Sequence, residues 1–133
     1  MLDTVWRLAE KDFDIDAFIG KYPFQEVAIV FRRGERRRNG VVYEKSGCNI
    51  IVSEQIDSNE HVKEIQEFLA RYKEAFIELH RKKIVSRLDV GFALGNSDQI
   101  MKFINIPSEI LGTLSSLGMD LEFSTYAVTD EEY

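Results

Sequence analysis

The chain has 133 residues, 44% hydrophobic and 30% charged, with 23 acidic against 17 basic side chains and a formal net charge of -6. That balance excludes a disordered or collagen-like chain, and no apolar run approaches the ~20 residues that would span a bilayer. A single domain over 1–133 is expected, large enough to bury roughly two thirds of its unfolded surface.

The opening LDTVWRLA sets Leu2, Thr4, Trp6 and Leu8 against Asp3, Val5, Arg7 and Ala9, the alternation of a half-buried strand. In DFDIDAFIGKYP, Asp14 is a candidate N-cap, Asp16 sits in the first turn, and Gly20 falls just past a short helix that stops before Pro23. FQEVAIVFRR, NGVVYEK and CNIIVSEQI read as a three-stranded meander, with turns at Asn39-Gly40 and Ser46-Gly47. The arginine-rich stretch makes the longer connection between the first two strands.

From Asp57 to Lys83 the apolar residues Val62, Ile65, Leu69, Tyr72, Phe76 and Leu79 recur at steps of three and four, which predicts one long amphipathic helix. Asp57 and Glu60 form a D-x-x-E start, and Arg81, Lys82 and Lys83 complement the far end of the dipole. SRLDVGFALG and QIMKFINIP then read as two strands. EILGTLSSL is a helix capped by Ser108, with Ile110, Leu111, Leu114 and Leu117 inward and Gly118 at its end. MDLEFSTYAV closes as a strand, and 129–133 is an acidic tail expected to fray.

The expected order is β-α-β-β-β-α-β-β-α-β: an α+β fold whose largely antiparallel sheet is covered on one face by one long and two short helices.

Little catalytic chemistry is written in the residues. Cys48 is the only cysteine, so no internal disulfide or CxxC pair exists, and it is expected to pack as a small apolar group. His61 and His80 lie on one predicted helix, too far apart to share an ion; they read as surface or boundary side chains, and no metal or cofactor is expected. No P-loop, GxSxG elbow or GxGxxG turn is present. The expectation is a protein that is not an enzyme.

Charge is the distinctive feature. Phe31 to Arg38 holds Arg32, Arg33, Arg36, Arg37 and Arg38 with one glutamate, a local charge of +4 that leaves -10 for the rest of the chain. Three readings stay open for this cluster: an anion or nucleic-acid contact, an arginine surface for an acidic protein or for the chain's own acidic regions, and a solvated loop guarding a sheet edge. Nucleic acid is the least favoured, because a pI near 5.0 repels a polyanion and only Phe31 and Tyr43 flank the loop for stacking. Asp12, Asp14 and Asp16 gather at the first strand-to-helix junction, where they serve as caps, as an acid–base pair with Glu10, or as a surface for a basic partner.

IDAFIGKYP, RRGERR, SGCNIIVS, the long helix and IPSEILGTLSSLGMDLEFSTY resemble, across most of the chain, a bacterial family of small domains known chiefly as a domain of unknown function. Some of its members look like immunity proteins of toxin systems. Where the family usually carries a tryptophan in the strand, this chain has Asn49 or Ile50. The resemblance implies an α+β fold and a non-enzymatic role.

Together these features lead to the expectation of a small binding protein acting by protein–protein contact, an immunity protein for a cognate toxin being the specific form. If the toxin is a nuclease, Asp12, Asp14 and Asp16, with Asp130, Glu131 and Glu132, are candidates to mimic phosphates. The alternative is a domain that holds a small anion with Arg32, Arg33 or Arg36. Cytoplasmic residence is expected, since the charged start MLDTVWRLAEKDF lacks the apolar core of a secretory signal. No membrane contact is expected, and a homodimer through an edge strand stays open.

Overall fold

The structure is a computed structural model that describes residues 2–94 and 103–127. Among these residues a five-stranded mixed sheet carries four helices. β1 (Leu2–Glu10) lies in the middle, between β3 (Ser46–Ser53) and β4 (Arg87–Leu94), and is antiparallel to both. β2 (Ala28–Phe31) forms one edge beside β3, and β5 (Asp120–Ala127) forms the other beside β4. The pair β4–β5 is parallel, because the connection between them carries a helix and returns to the same end of the sheet. A largely antiparallel sheet is therefore correct for three of its four pairings.

The alternation in β1 is the organising signal. Leu2, Thr4, Trp6 and Leu8 are buried beneath the helices, as are Cys48, Ile50 and Val52 of β3 and Leu88 and Val90 of β4. Trp6 lies at the centre with its ring 5.2 Å from that of Phe76 and 5.6 Å from that of Phe24, and its indole N–H donates to Ser86 Oγ at 3.0 Å. A buried indole needs such a partner.

α1 (Ile15–Lys21) starts where expected: the Asp14 carboxylate accepts from the Ala17 N–H at 3.0 Å. Gly20 lies within it rather than past its end. The long helix is two, α2 (Ser58–Arg71) and α3 (Lys73–Arg81), which break at Tyr72. There the ring turns into the core and its hydroxyl accepts the Gln25 N–H at 2.9 Å and donates to the Glu26 carboxylate, tying the junction to the chain before β2. Both halves keep one apolar stripe, with Ile65, Phe68, Leu69, Phe76 and Leu79 buried. In α4 (Ser108–Ser116) the cap position is Pro107, without a side-chain bond, and Ser108 is the first helical residue. Leu111 is 45% exposed rather than inward. Gly118 ends the helix at φ 62°, with Met119 N–H bonded to the Leu114 carbonyl, a left-handed turn that glycine takes without strain.

The predicted meander is where the structure departs most. Ser46 and Gly47 are not a turn but the start of β3; a Cβ on Gly47 would stand 1.8 Å from the Leu8 carbonyl oxygen, so the glycine serves the close approach of β1. NGVVYEK contributes only an isolated bridge between Arg36 and Val42, and 32–45 is a loop folded back by Gly34 at φ 92° and Gly40 at φ 84°. Arg32, Arg33, Arg36, Arg37 and Arg38 leave the first half of this stretch without an apolar alternation to pair against, so Val41 and Val42 stay 54% and 42% exposed. Residues 103–107 of the expected strand QIMKFINIP are irregular; its remainder and the 129–133 tail lie outside the described residues. No helix among the described residues is long and apolar enough to cross a membrane.

Candidate functional site

Among the described residues the helices lie on one face of the sheet, and the side chains that alternate with the core in β1, β3, β4 and β5 form a second face that none of these helices covers, exposed at Arg87 and Asp120 and buried at Asp89 and Ala93. Strand register arranges them in rows. One row runs Ile29, Asn49, Arg7, Arg87, Asp120; the next runs through Ile51, Val5, Asp89, Glu122.

Arg7 Nε donates to Asp89 Oδ2 at 3.1 Å, and the Ser124 hydroxyl donates to Asp89 Oδ1 at 2.8 Å, so this nearly buried carboxylate is held from two strands. Arg87 Nε stands 3.8 Å from Glu122. Further along, the Tyr126 hydroxyl donates to Asp3 Oδ2 at 2.9 Å across Gly91, where a Cβ would come within 2.3 Å of Asp3 Oδ1. Burial, reinforced by that carboxylate, pushes the Tyr126 phenol up to about 12.

The 32–45 loop leans over one end of this face and makes a cleft of about 690 Å³. Phe31 and Tyr43 stack with centroids 4.9 Å apart, and the Arg37 guanidinium lies 4.8 Å above the Tyr43 ring. Of the six charged residues lining the cleft, Arg7, Arg37, Lys45 and Arg87 are cationic and Glu44 and Asp120 acidic. Ile29, Val41, Val42 and Val85 supply its apolar wall, and each is at least 42% exposed. A second groove, about 530 Å³ between α2 and α4, is the ordinary seam between two helices, floored by Leu69 and Ile110.

The arginine cluster and the acidic junction, both candidates from sequence, turn out to face each other. Arg32 grips Asp16 with two bonds of 2.8 and 2.7 Å and lies 3.5 Å from Glu35; Arg33 pairs with Asp12 at 3.2 Å. The Arg32 guanidinium holds the Asp16 carboxyl below its ordinary range. Asp14 is occupied as the cap of α1. Arg36 reaches the Gly40 carbonyl at 3.5 Å, and Arg38 is exposed. The chain's own acidic residues therefore take up two of the five arginines. Of the five, only Arg37 lines the cleft.

A second polar cluster is buried. His61 is fully buried, which corrects the surface or boundary reading: the β1–β3 register shifts between Thr4 and Val5, and Thr4 and Ser53 both turn inward onto its ring. Nδ1 lies 2.9 Å from the Gln55 carbonyl and 3.1 Å from Ser53 Oγ; Nε2 lies 2.6 Å from Thr4 Oγ1. Since the carbonyl can only accept, Nδ1 carries the proton and Nε2 accepts from Thr4. Ser53 in turn donates to Glu64 at 3.1 Å. With Nδ1 committed as a donor, His61 cannot take a proton from Ser53, and the group works as a clamp rather than a nucleophile–base pair. His80 is exposed, as expected, with its ring against Gly118.

Among the described residues, no group of three or more His, Cys, Asp or Glu side chains could hold a metal ion. Cys48 is wholly buried, and burial raises its thiol to about 12, which leaves it unreactive.

Arg7 and Arg87 were not candidates from sequence, and Asn49 was named only as the position where the resembled family carries a tryptophan. The signal was present in part, since the alternation of β1 puts Arg7 opposite the core side. That Arg87 stands beside it depends on a register between strands 80 residues apart.

No protein-family model matches the chain, and neither a curated protein nor a solved structure is significantly similar to it.

Proposed function

We propose that the chain is a small non-enzymatic binding protein that acts by protein–protein contact through the uncovered face of its sheet, and that neutralising a cognate toxin is the form this contact takes. One observation carries the reading: Ile29, Val41, Val42 and Val85, exposed by 62, 54, 42 and 56%, line a single cleft, four of the ten large apolar side chains exposed among the described residues. Exposed apolar side chains gathered at one rim and interleaved with arginine have the composition of an interface core.

The immunity role is supported by the resemblance carried by IDAFIGKYP, RRGERR and the segment from Ile106 to Tyr126. Cytoplasmic residence belongs to the same reading. Arg32 and Arg33, tied to Asp16 and Asp12, brace the loop, while Arg37 and the valines meet the partner.

The test is capture by the tagged protein from the cell that makes it, at low and moderate salt, with mass spectrometry of what is retained. One stoichiometric protein is expected, lost with Ile29→Lys or Val42→Lys and kept with Glu67→Lys on the exposed side of α2. Its toxic activity should be suppressed by the wild-type protein and not by Val42→Lys. Retention indifferent to both open-face substitutions would defeat the reading.

A further inference from the structure

We propose that the cleft beneath the 32–45 loop binds a small organic anion, an apolar body ending in a phosphate or carboxylate, gripped by Arg7 and Arg87. Arg7 and Arg87 are directly opposed across the β1–β4 pair on the open face, and like charges in that position repel. Each has a carboxylate beside it, but both contacts run through Nε, to Asp89 at 3.1 Å and Glu122 at 3.8 Å. The terminal nitrogens of the two guanidinium groups are not used in those contacts, and they are the part of the fork that matches an oxyanion.

Arg7 is also well anchored. Asp89 is only 8% exposed and is itself held by Ser124, so the guanidinium needs little ordering when an anion arrives. Asn49, next to Arg7 in the same cross-sheet row, adds an amide donor. In a chain of net charge -6, the cleft reverses the sign, with four cationic and two acidic lining residues. Its volume of about 690 Å³ falls in the range of small-molecule sites, roughly 300–1,000 Å³, and its valine and isoleucine wall calls for an apolar body rather than a bare ion.

The proposal does not depend on a protein partner, because its probes are small molecules. Phenyl phosphate, phenylacetate and inorganic phosphate are titrated at fixed ionic strength, with melting temperature and amide NMR shifts as readouts. At least one aryl anion should raise the melting temperature and move the resonances of Asn49, Val41 and Val42, and the better of the two identifies the headgroup. Inorganic phosphate should bind at least about tenfold more weakly for want of the buried ring. Arg87→Gln, at a half-exposed position that should fold normally, should weaken the aryl anion roughly tenfold or more, while Lys63→Gln on α2 leaves it unchanged. No response to either aryl anion, equal binding of inorganic phosphate, or an Arg87→Gln variant indistinguishable from wild type would each overturn the proposal.

Discussion

Thr4 and His61, both fully buried, meet at 2.6 Å between hydroxyl and Nε2, and this contact fastens the start of β1 to the first turn of α2. Replacing Thr4 by valine keeps the shape but leaves Nε2 without a donor, at a cost of about 1–3 kcal/mol. Thr4→Ser should recover most of it. Urea unfolding of the two variants checks the claim, and equal stabilities would contradict it.

The same ring makes stability depend on pH. Burial lowers the His61 pKa, against the upward pull of the Gln55 carbonyl and the Glu64 and Asp3 carboxylates. The unfolded chain takes up its proton near pH 6.5, and the folded chain does so only at lower pH. His61's contribution is thus complete above about pH 6.5 and is lost as pH falls from there toward the folded value, with a slope of at most about 1.4 kcal/mol per pH unit. Urea midpoints between pH 5 and 8 should show this decline in the wild type and a smaller one in His61→Gln.

Tyr126 should titrate late. Its phenol, raised to about 12 by burial and by Asp3, should fall toward 10 in Asp3→Asn. Gly91→Ala should do the same, since the new methyl would displace Asp3 Oδ1. NMR of ring-labelled tyrosine resolves this residue from the others, and a wild-type value near 10 would count against the bridge.

Gly47→Ala should be the most damaging small substitution in the sheet. Its Cβ meets backbone, the Leu8 carbonyl oxygen at 1.8 Å, which no rotamer change can relieve. A loss of more than about 2 kcal/mol is expected. Gly20→Ala, with nothing within 4 Å in α1, should be neutral or slightly stabilising.

Asp16→Lys should release the 32–45 loop, because Arg32 loses both bonds that hold it to α1. Limited trypsin digestion should cut faster within Arg32 to Arg38, while the far-ultraviolet circular dichroism stays unchanged. Cutting at the wild-type rate would show that the pair does not restrain the loop.

What was legible in the sequence was local. The alternation of β1, the caps Asp14 and Asp57, and the stripe from Ile65 to Leu79 each follow from neighbours within a few residues, and they hold. What failed depended on distant partners. Ser46-Gly47 has the composition of a turn, yet Leu8 demands the glycine for close approach. Tyr72 fits a continuous helix until Gln25 and Glu26 engage its hydroxyl. The arginine cluster was visible at once, but its pairing with Asp12 and Asp16 is a fact of tertiary folding, as is the juxtaposition of Arg7 with Arg87.

The most direct test of the central claim is site-specific photo-crosslinking in the cell that makes the protein. A photoreactive residue is placed at Val42 on the open face and, separately, at Glu67 on the solvent side of α2. The account predicts one discrete adduct with a different protein from position 42 and none from position 67. Adducts from position 67 alone, or a crosslink from position 42 only to a second copy of this chain, would contradict it.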